Sequence, residues 1–255
     1  MSEPLTPAHQ LHDALVDVRQ AHVDPDGRAC DYAALGASEH ARRLEAALAA
    51  LAEFDPRLLP IPEPIAFWLN AYNAVALMTA RACGPGEPIN GIEGFFDQRR
   101  LRVAGQGFSL DDIEHGLLRG NAPKYGRQSG PLEREDPRLA FTPRLYDERV
   151  HFAMFSACRS SAPLRVFGPD ALAHQLEDAV RECVAREVEI AVDGASITVP
   201  RLFKWYQEDF GGEGGVVRFV LARIDDDAVI ERVDAHRGDV RVRYKAFDWT
   251  LNQRA

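Results

Sequence analysis

The chain has 255 residues, of which 46% are hydrophobic and 27% charged, a globular composition rather than a disordered one. Its formal net charge of −9 argues against phosphate-backbone binding as its main task, because nucleic-acid binders need a basic surface. No run of about 18 apolar residues occurs, so no membrane span and no membrane partner are expected.

In chain order, residues 10–22 read as an amphipathic helix with Leu11, Leu15 and Val18 on one face. A turn and an extended piece follow in VDPDGRACDYAAL. Residues 39–54 form a second helix, striped by Leu44, Leu48 and Leu51. FDPRLLPIPEP is a proline-rich connector read as non-helical. PIAFWLNAYNAVALMTA, residues 64–80, is an apolar helix that stops at Gly84 and Pro85. Residues 101–108 read as a hairpin. Ser109 then caps a short helix to Gly120, with Asp112 at the capping-box position. Residues 121–147 are charged and aperiodic, the best candidate for a mobile loop or lid. RVHFAMFSA reads as a buried strand. An amphipathic helix follows in DALAHQLEDAVRECVARE, then a hairpin around Asp193-Gly194. Pro200 opens a helix ending at Gly211, GGEGG reads as a flexible joint, and RGDVRVRYKAFDWTLN reads as a further strand pair. With no repeat and no dividing linker, the expectation is one α+β domain over 1–255. Its helical part covers about 1–84 and its α+β part about 85–255, with a mixed or antiparallel sheet.

The residues after Met1 lack a basic start, an apolar core and a cleavage site, so no export leader is expected. The four cysteines (Cys30, Cys83, Cys158, Cys183) have no finger spacing and are expected as reduced thiols in the cytoplasm. His9 and His12 stand three apart but on a terminal surface helix. No metal and no cofactor are expected.

Polar residues that interrupt apolar faces carry the functional signal. On a helical projection Leu110, Ile113, Leu117 and Leu118 define an arc that contains Glu114 and leaves His115 just outside. A carboxylate there needs a partner or a raised pKa; an ion pair to Arg119 or another arginine is the plain alternative. Asp209 sits in a similar arc but in a last turn, and is read as structural. His151 lies in the expected core strand, where a histidine is usually a satisfied core residue. Asn70 and Asn73 share one face of the apolar helix, which either faces water or lines a cleft.

Taken together, CDYAAL, FWLNAYNA, SLDDIEHGLLR, DPRLAF, HFAMFSACRSSAPLRVF, LFKWYQEDFGG and DWTLN resemble the domain-of-unknown-function 547 family, in order and spacing, over roughly residues 11–252. The resemblance implies a polar signature at Asn70, Tyr72, Asn73, Glu114, His115 and His151, and a fold distantly related to papain. The family pattern places cysteines where this chain has Ser156 and Ser161. Exported relatives could pair those cysteines in a disulfide, which a cytosolic chain would not need. If the second were a nucleophile, Ser161 would need a strong base to replace it.

Two readings stand side by side. One is a small hydrolase or acyl/amide-processing enzyme. Glu114, His115 and His151 would supply acid–base chemistry, Ser161 (or Ser160) a weak nucleophile, and Asn70, Tyr72, Asn73 and Arg159 the contacts to a small-molecule or peptide-like substrate. The other is a non-catalytic binding or scaffold domain, with room for a protein partner, in which the same groups form a structural network. Whether the polar residues meet at an open pocket or in a filled core separates the two.

Overall fold

Thr6 and Pro7 show how the first helix begins. The Thr6 hydroxyl accepts from the His9 N–H, and Pro7 occupies the first turn, where its missing N–H costs nothing. The computed structural model describes residues 6–236 and 238–254. The expectation about an export leader falls partly on residues 1–5, outside the described residues. So does Arg237, at the head of the expected C-terminal strand pair.

The chain divides into two compact units, residues 1–175 with 248–255 and residues 176–247. In the first, α1 (Pro7–His22), α2 (Tyr32–Gly36), α3 (Glu39–Ala50) and α4 (Glu63–Ala80) pack so that α4 touches both α1 and α3. Fourteen of the eighteen residues of α4 are buried, so it is a core helix wrapped on all sides. Its surroundings include β1 (Leu101–Val103) and β2 (Gln106–Phe108), an antiparallel hairpin turned by Ala104 and Gly105, both at positive φ. Trp68, Phe108 and Phe141 make an aromatic cluster beside it, Phe141 meeting the other two edge to face.

One local module recurs three times in this unit. Asp55, Asp136 and Asp147 each cap a short 3-10 turn and each grip the arginine two residues on, through its N–H and its guanidinium. The first corrects the expectation of a non-helical connector, since Pro56–Leu58 is one such turn with proline in its first position. The third corrects a larger expectation. Residues 148–152 are a 3-10 turn and not a strand, and the apolar run that follows is irregular. Its backbone is satisfied by the side chain of Asn73 instead of by a neighbouring strand.

In the second unit, which the chain enters within α5 (Leu172–Glu187), β3 (Glu189–Ile190) and β4 (Ser196–Val199) form the expected hairpin. Here α6 (Leu202–Trp205) gives way to a 3-10 turn over Gln207–Phe210, and Gly211 in the left-handed region ends it. GGEGG is not a joint. It is the first turn of α7 (Gly212–Leu221), in which Gly215 lets the helix approach the Phe210 carbonyl; a Cβ there would lie 1.7 Å from that oxygen. A further helix, α8 (Asp227–Asp234), precedes β5 (Arg241–Tyr244). β5 pairs parallel to β4, so the sheet is mixed, with strand order β3-β4-β5. The expected second C-terminal strand is absent among the described residues. Residues 250, 251 and 253 instead form isolated bridges to Pro88, Cys158 and Cys30 in the first unit. The described chain is α+β, with helices predominating over two small sheets.

Candidate active site under a polar pocket

Ser109 and Asp112 start the helix that carries the site. The Asp112 N–H donates to Ser109 Oγ and the Ser109 N–H to Asp112 Oδ2, both at 3.0 Å, a complete capping box. Asp112 is buried and also accepts from Arg138 at 2.7 Å and Arg99 at 3.2 Å. Arg138 is itself gripped by Asp136. From Asp112 to Leu118 the helix winds as a π-helix, with Arg119 N–H donating to the Glu114 carbonyl and Asn121 N–H to that of Gly116, each five residues back. A π winding turns less per residue than an α-helix. The whole stretch from Asp112 to Leu118 is buried, so Glu114 and His115 lie inside together, at 6% and 2% exposure, where an α projection put His115 outside the apolar arc.

His115 is held by Arg119, whose guanidinium lies 2.9 Å from Nδ1 and also donates to the Pro123 carbonyl. Arginine can only donate, so Nδ1 accepts and the proton of the neutral ring sits on Nε2. Nε2 is 3.7 Å from Asp111 Oδ1 and 3.9 Å from Glu114 Oε1. Burial pushes the His115 pKa below 6.5, against the pull of Glu114 and Asp111. The other Glu114 oxygen accepts from the Tyr72 hydroxyl of α4 at 3.1 Å. Asp111 accepts from Lys124 with both oxygens at 2.9 Å.

Above this group opens a pocket of about 1050 Å³. His115 and Asp111 line it with the 92–97 segment and residues 124–131 of the following loop. That loop is irregular, as expected, and its base is pinned. The Asn121 amide clamps both the N–H and the carbonyl of Leu132, and a Cβ on Gly116 would touch Leu132 Cδ1 at 2.9 Å.

The remaining expected residues lie elsewhere or do other work. Asn70 donates to the Phe167 carbonyl at 2.8 Å and accepts the Phe167 N–H at 2.9 Å. Asn73 donates to the carbonyls of Ala153 and Arg165 and accepts the Phe155 N–H. Their amides thus hold two irregular segments, around residues 153–155 and 165–167, onto α4. His151 is buried, two residues before the Ala153 carbonyl that Asn73 binds. Adjacent residues of α4 therefore hold Glu114, through Tyr72, and the His151 segment, through Asn73. Ser161 Oγ donates to the Ala162 carbonyl at 2.7 Å and accepts the Ser156 N–H at 3.3 Å, so its hydroxyl serves the local main chain and not a base. Arg159 stands at the surface, its side chain 65% exposed, 3.9 Å from Asp248.

Burial raises the Cys30 thiol to about 12 and the Cys158 thiol to about 11, which disfavours the thiolate of both at neutral pH. Among the described residues no group of three or more His, Cys, Asp or Glu side chains is placed to hold a metal. None of the described helices is long and apolar enough to cross a membrane. Sequence reasoning missed Asp111, Lys124 and Arg138, and named Arg119 as a partner for Glu114 without foreseeing its contact with His115 Nδ1. The signal for Arg138 was legible as the Asp-Pro-Arg string shared by residues 55–57 and 136–138. Asp111 lies four residues before His115 in the same helix.

Fold and site define an α+β protein with a carboxylate–imidazole pair beneath an open polar pocket. Residues 56–184 match the family described as "Protein of unknown function, DUF547", half of the chain, and the chain belongs to that family. No curated protein and no solved structure matches it.

Proposed function

We propose that this chain is a hydrolase of esters or amides that works by acid–base chemistry on water. Glu114 takes the proton of the attacking water and returns it to the leaving group. The Nε2–H of His115 donates to the oxyanion that forms on the substrate carbonyl. A neutral imidazole in this role does not need to charge in a buried site. Tyr72 and Arg119 are positioning residues, one for the carboxylate and one for the ring.

The observation that carries this reading is the placement of His115. Its Nδ1 is occupied by Arg119, its Nε2 lies within 4 Å of two carboxylate oxygens, and the ring lines an open pocket. Water replaces Ser161 as the nucleophile because the Ser161 hydroxyl is engaged with main chain. The asparagine clamps favour the second reading, a structural network without catalysis. A panel of p-nitrophenyl esters and amino-acyl p-nitroanilides separates the two. The hydrolase reading expects turnover that Glu114→Gln reduces by about 10²–10⁴-fold. Wild-type protein no faster than that variant on every member of the panel contradicts it.

A further inference from the structure

Lys124 occupies a seat that its neighbours build without it. The seat has two walls, the Asp111 carboxylate and the face of Phe96. The Lys124 ammonium lies 2.9 Å from both carboxylate oxygens and 5.3 Å from the ring centre. The walls are fixed to each other, because the Asp111 N–H donates to the Phe96 carbonyl at 2.9 Å. The ring is further packed by Phe95 and Trp249. A carboxylate and an aromatic face in fixed relation suit an ammonium or guanidinium group.

Only the side chain of Lys124 has to move. It is 45% exposed, while its main chain is held on both sides, by Arg119 on the Pro123 carbonyl and by the Arg127 N–H on its own carbonyl. When it swings out, the Asp111–Phe96 seat stands empty at the edge of the pocket, with Asp111 Oδ1 still 3.7 Å from His115 Nε2. The charge around it favours a cation. With Lys124 and Asp111 cancelling, the pocket retains Glu93 and Asp97 against Arg127.

We propose that the pocket takes ligands bearing a primary ammonium or guanidinium group, which replaces Lys124 between Asp111 and Phe96 and brings the bonds beside it against His115. This rests on the hydrolase reading of the pocket and narrows its substrates to amine-bearing esters and amides. Lys124 then acts as a built-in competitor that keeps the seat closed to neutral and anionic compounds.

The test is a binding measurement. The imidazole resonances of His115 are followed by NMR while n-butylammonium chloride or sodium butyrate is added at matched ionic strength. The expected result is a saturable shift with the amine and none with the acid. Lys124→Met should bind the amine more tightly, by up to about fivefold, the most that an exposed ion pair is worth. Asp111→Asn should bind it about tenfold more weakly. Butyrate binding in place of the amine, no saturable shift with the amine, or equal affinity in Lys124→Met and wild type would overturn the proposal. Loss of turnover in Glu114→Gln without amine binding would remove only the substrate class. Amine binding without any turnover would remove only the hydrolase reading.

Discussion

The middle of α4 and the π-helix over Asp112–Leu118 both bury polar side chains in apolar surroundings, yet they use them differently. In α4 the amides of Asn70 and Asn73 reach main-chain N–H and carbonyl groups of the 153–155 and 165–167 segments. In the π-helix, Glu114 and His115 are held by side chains, Tyr72 and Arg119, and His115 lines an open pocket. An amide on a backbone does the work of a missing strand. A titratable pair held by side chains beside a pocket is the arrangement that acid–base chemistry requires. The contrast gives α4 an architectural part, and the proposed hydrolase reading places its chemistry on the π-helix.

The largest effect expected from this contrast falls on Asn73. Asn73→Ala leaves two carbonyls and one N–H without their partner, and should cost about 3 kcal/mol or more of stability at about 1–3 kcal/mol per buried unsatisfied group. Urea unfolding measures it. A loss below about 1 kcal/mol would mean that the segments hold without the clamp.

Next comes the capping network below the site. Arg138→Met leaves the buried Asp112 without its shortest partner and should cost about 3 kcal/mol. Because Asp112 starts the π-helix, that variant should also lower turnover, whereas folded Asn73→Ala should not. Equal turnover in both variants would erase the distinction between the two regions.

The pH dependence of stability sharpens it further. The folded-state pKa of His115 lies below 6.5 because of burial, and that of His22 is lowered by burial and by His40. The unfolded chain therefore takes up these protons first. Stability is full above about pH 6.5 and is lost as pH falls from there through the lowered folded values, by at most about 1.4 kcal/mol per pH unit for each histidine. Urea midpoints between pH 7.5 and 5.5 should fall less steeply in His115→Gln, which leaves His22 in place. Asn73→Ala should keep the wild-type slope, since an amide does not titrate. An unchanged slope in His115→Gln would contradict the buried neutral ring.

The smallest effect is expected at Ser161. Ser161→Ala should cost about 1 kcal/mol, the worth of its main-chain contacts, and leave turnover intact. A collapse in rate would restore the hydroxyl as nucleophile.

Much of this was legible in the sequence. The Ser109–Asp112 capping box, the hairpin within 101–108, the end of α1 and the start of α4 follow from short-range rules, while α1 begins three residues before the expected start and α4 ends short of Gly84. Glu114 on an apolar arc announced a partnered carboxylate. What failed depended on distant partners. VHFAMF has the apolarity of a buried strand, but the group that satisfies its backbone is an asparagine about 80 residues earlier, which no local pattern reveals. The parallel pairing of β5 with β4 is likewise non-local. The π winding escaped because periodicity analysis assumes an α-helix, and His115 was misplaced because the whole turn is buried and not one face of it. GGEGG escaped because glycine disfavours helix in isolation. The close approach of Gly215 to Phe210 explains a glycine at that position.

The most direct test of the central claim is a double-mutant cycle on kcat/KM for the best substrate of the ester and anilide panel, with Glu114→Gln, His115→Gln and the double variant, each checked for folding by circular dichroism. Residues that act as one catalytic unit show strongly non-additive effects. The expected result is a loss of about 10²-fold or more in each single variant and little further loss in the double. Wild-type rates in all three variants would contradict the account and leave the Glu114–His115 pair a structural network.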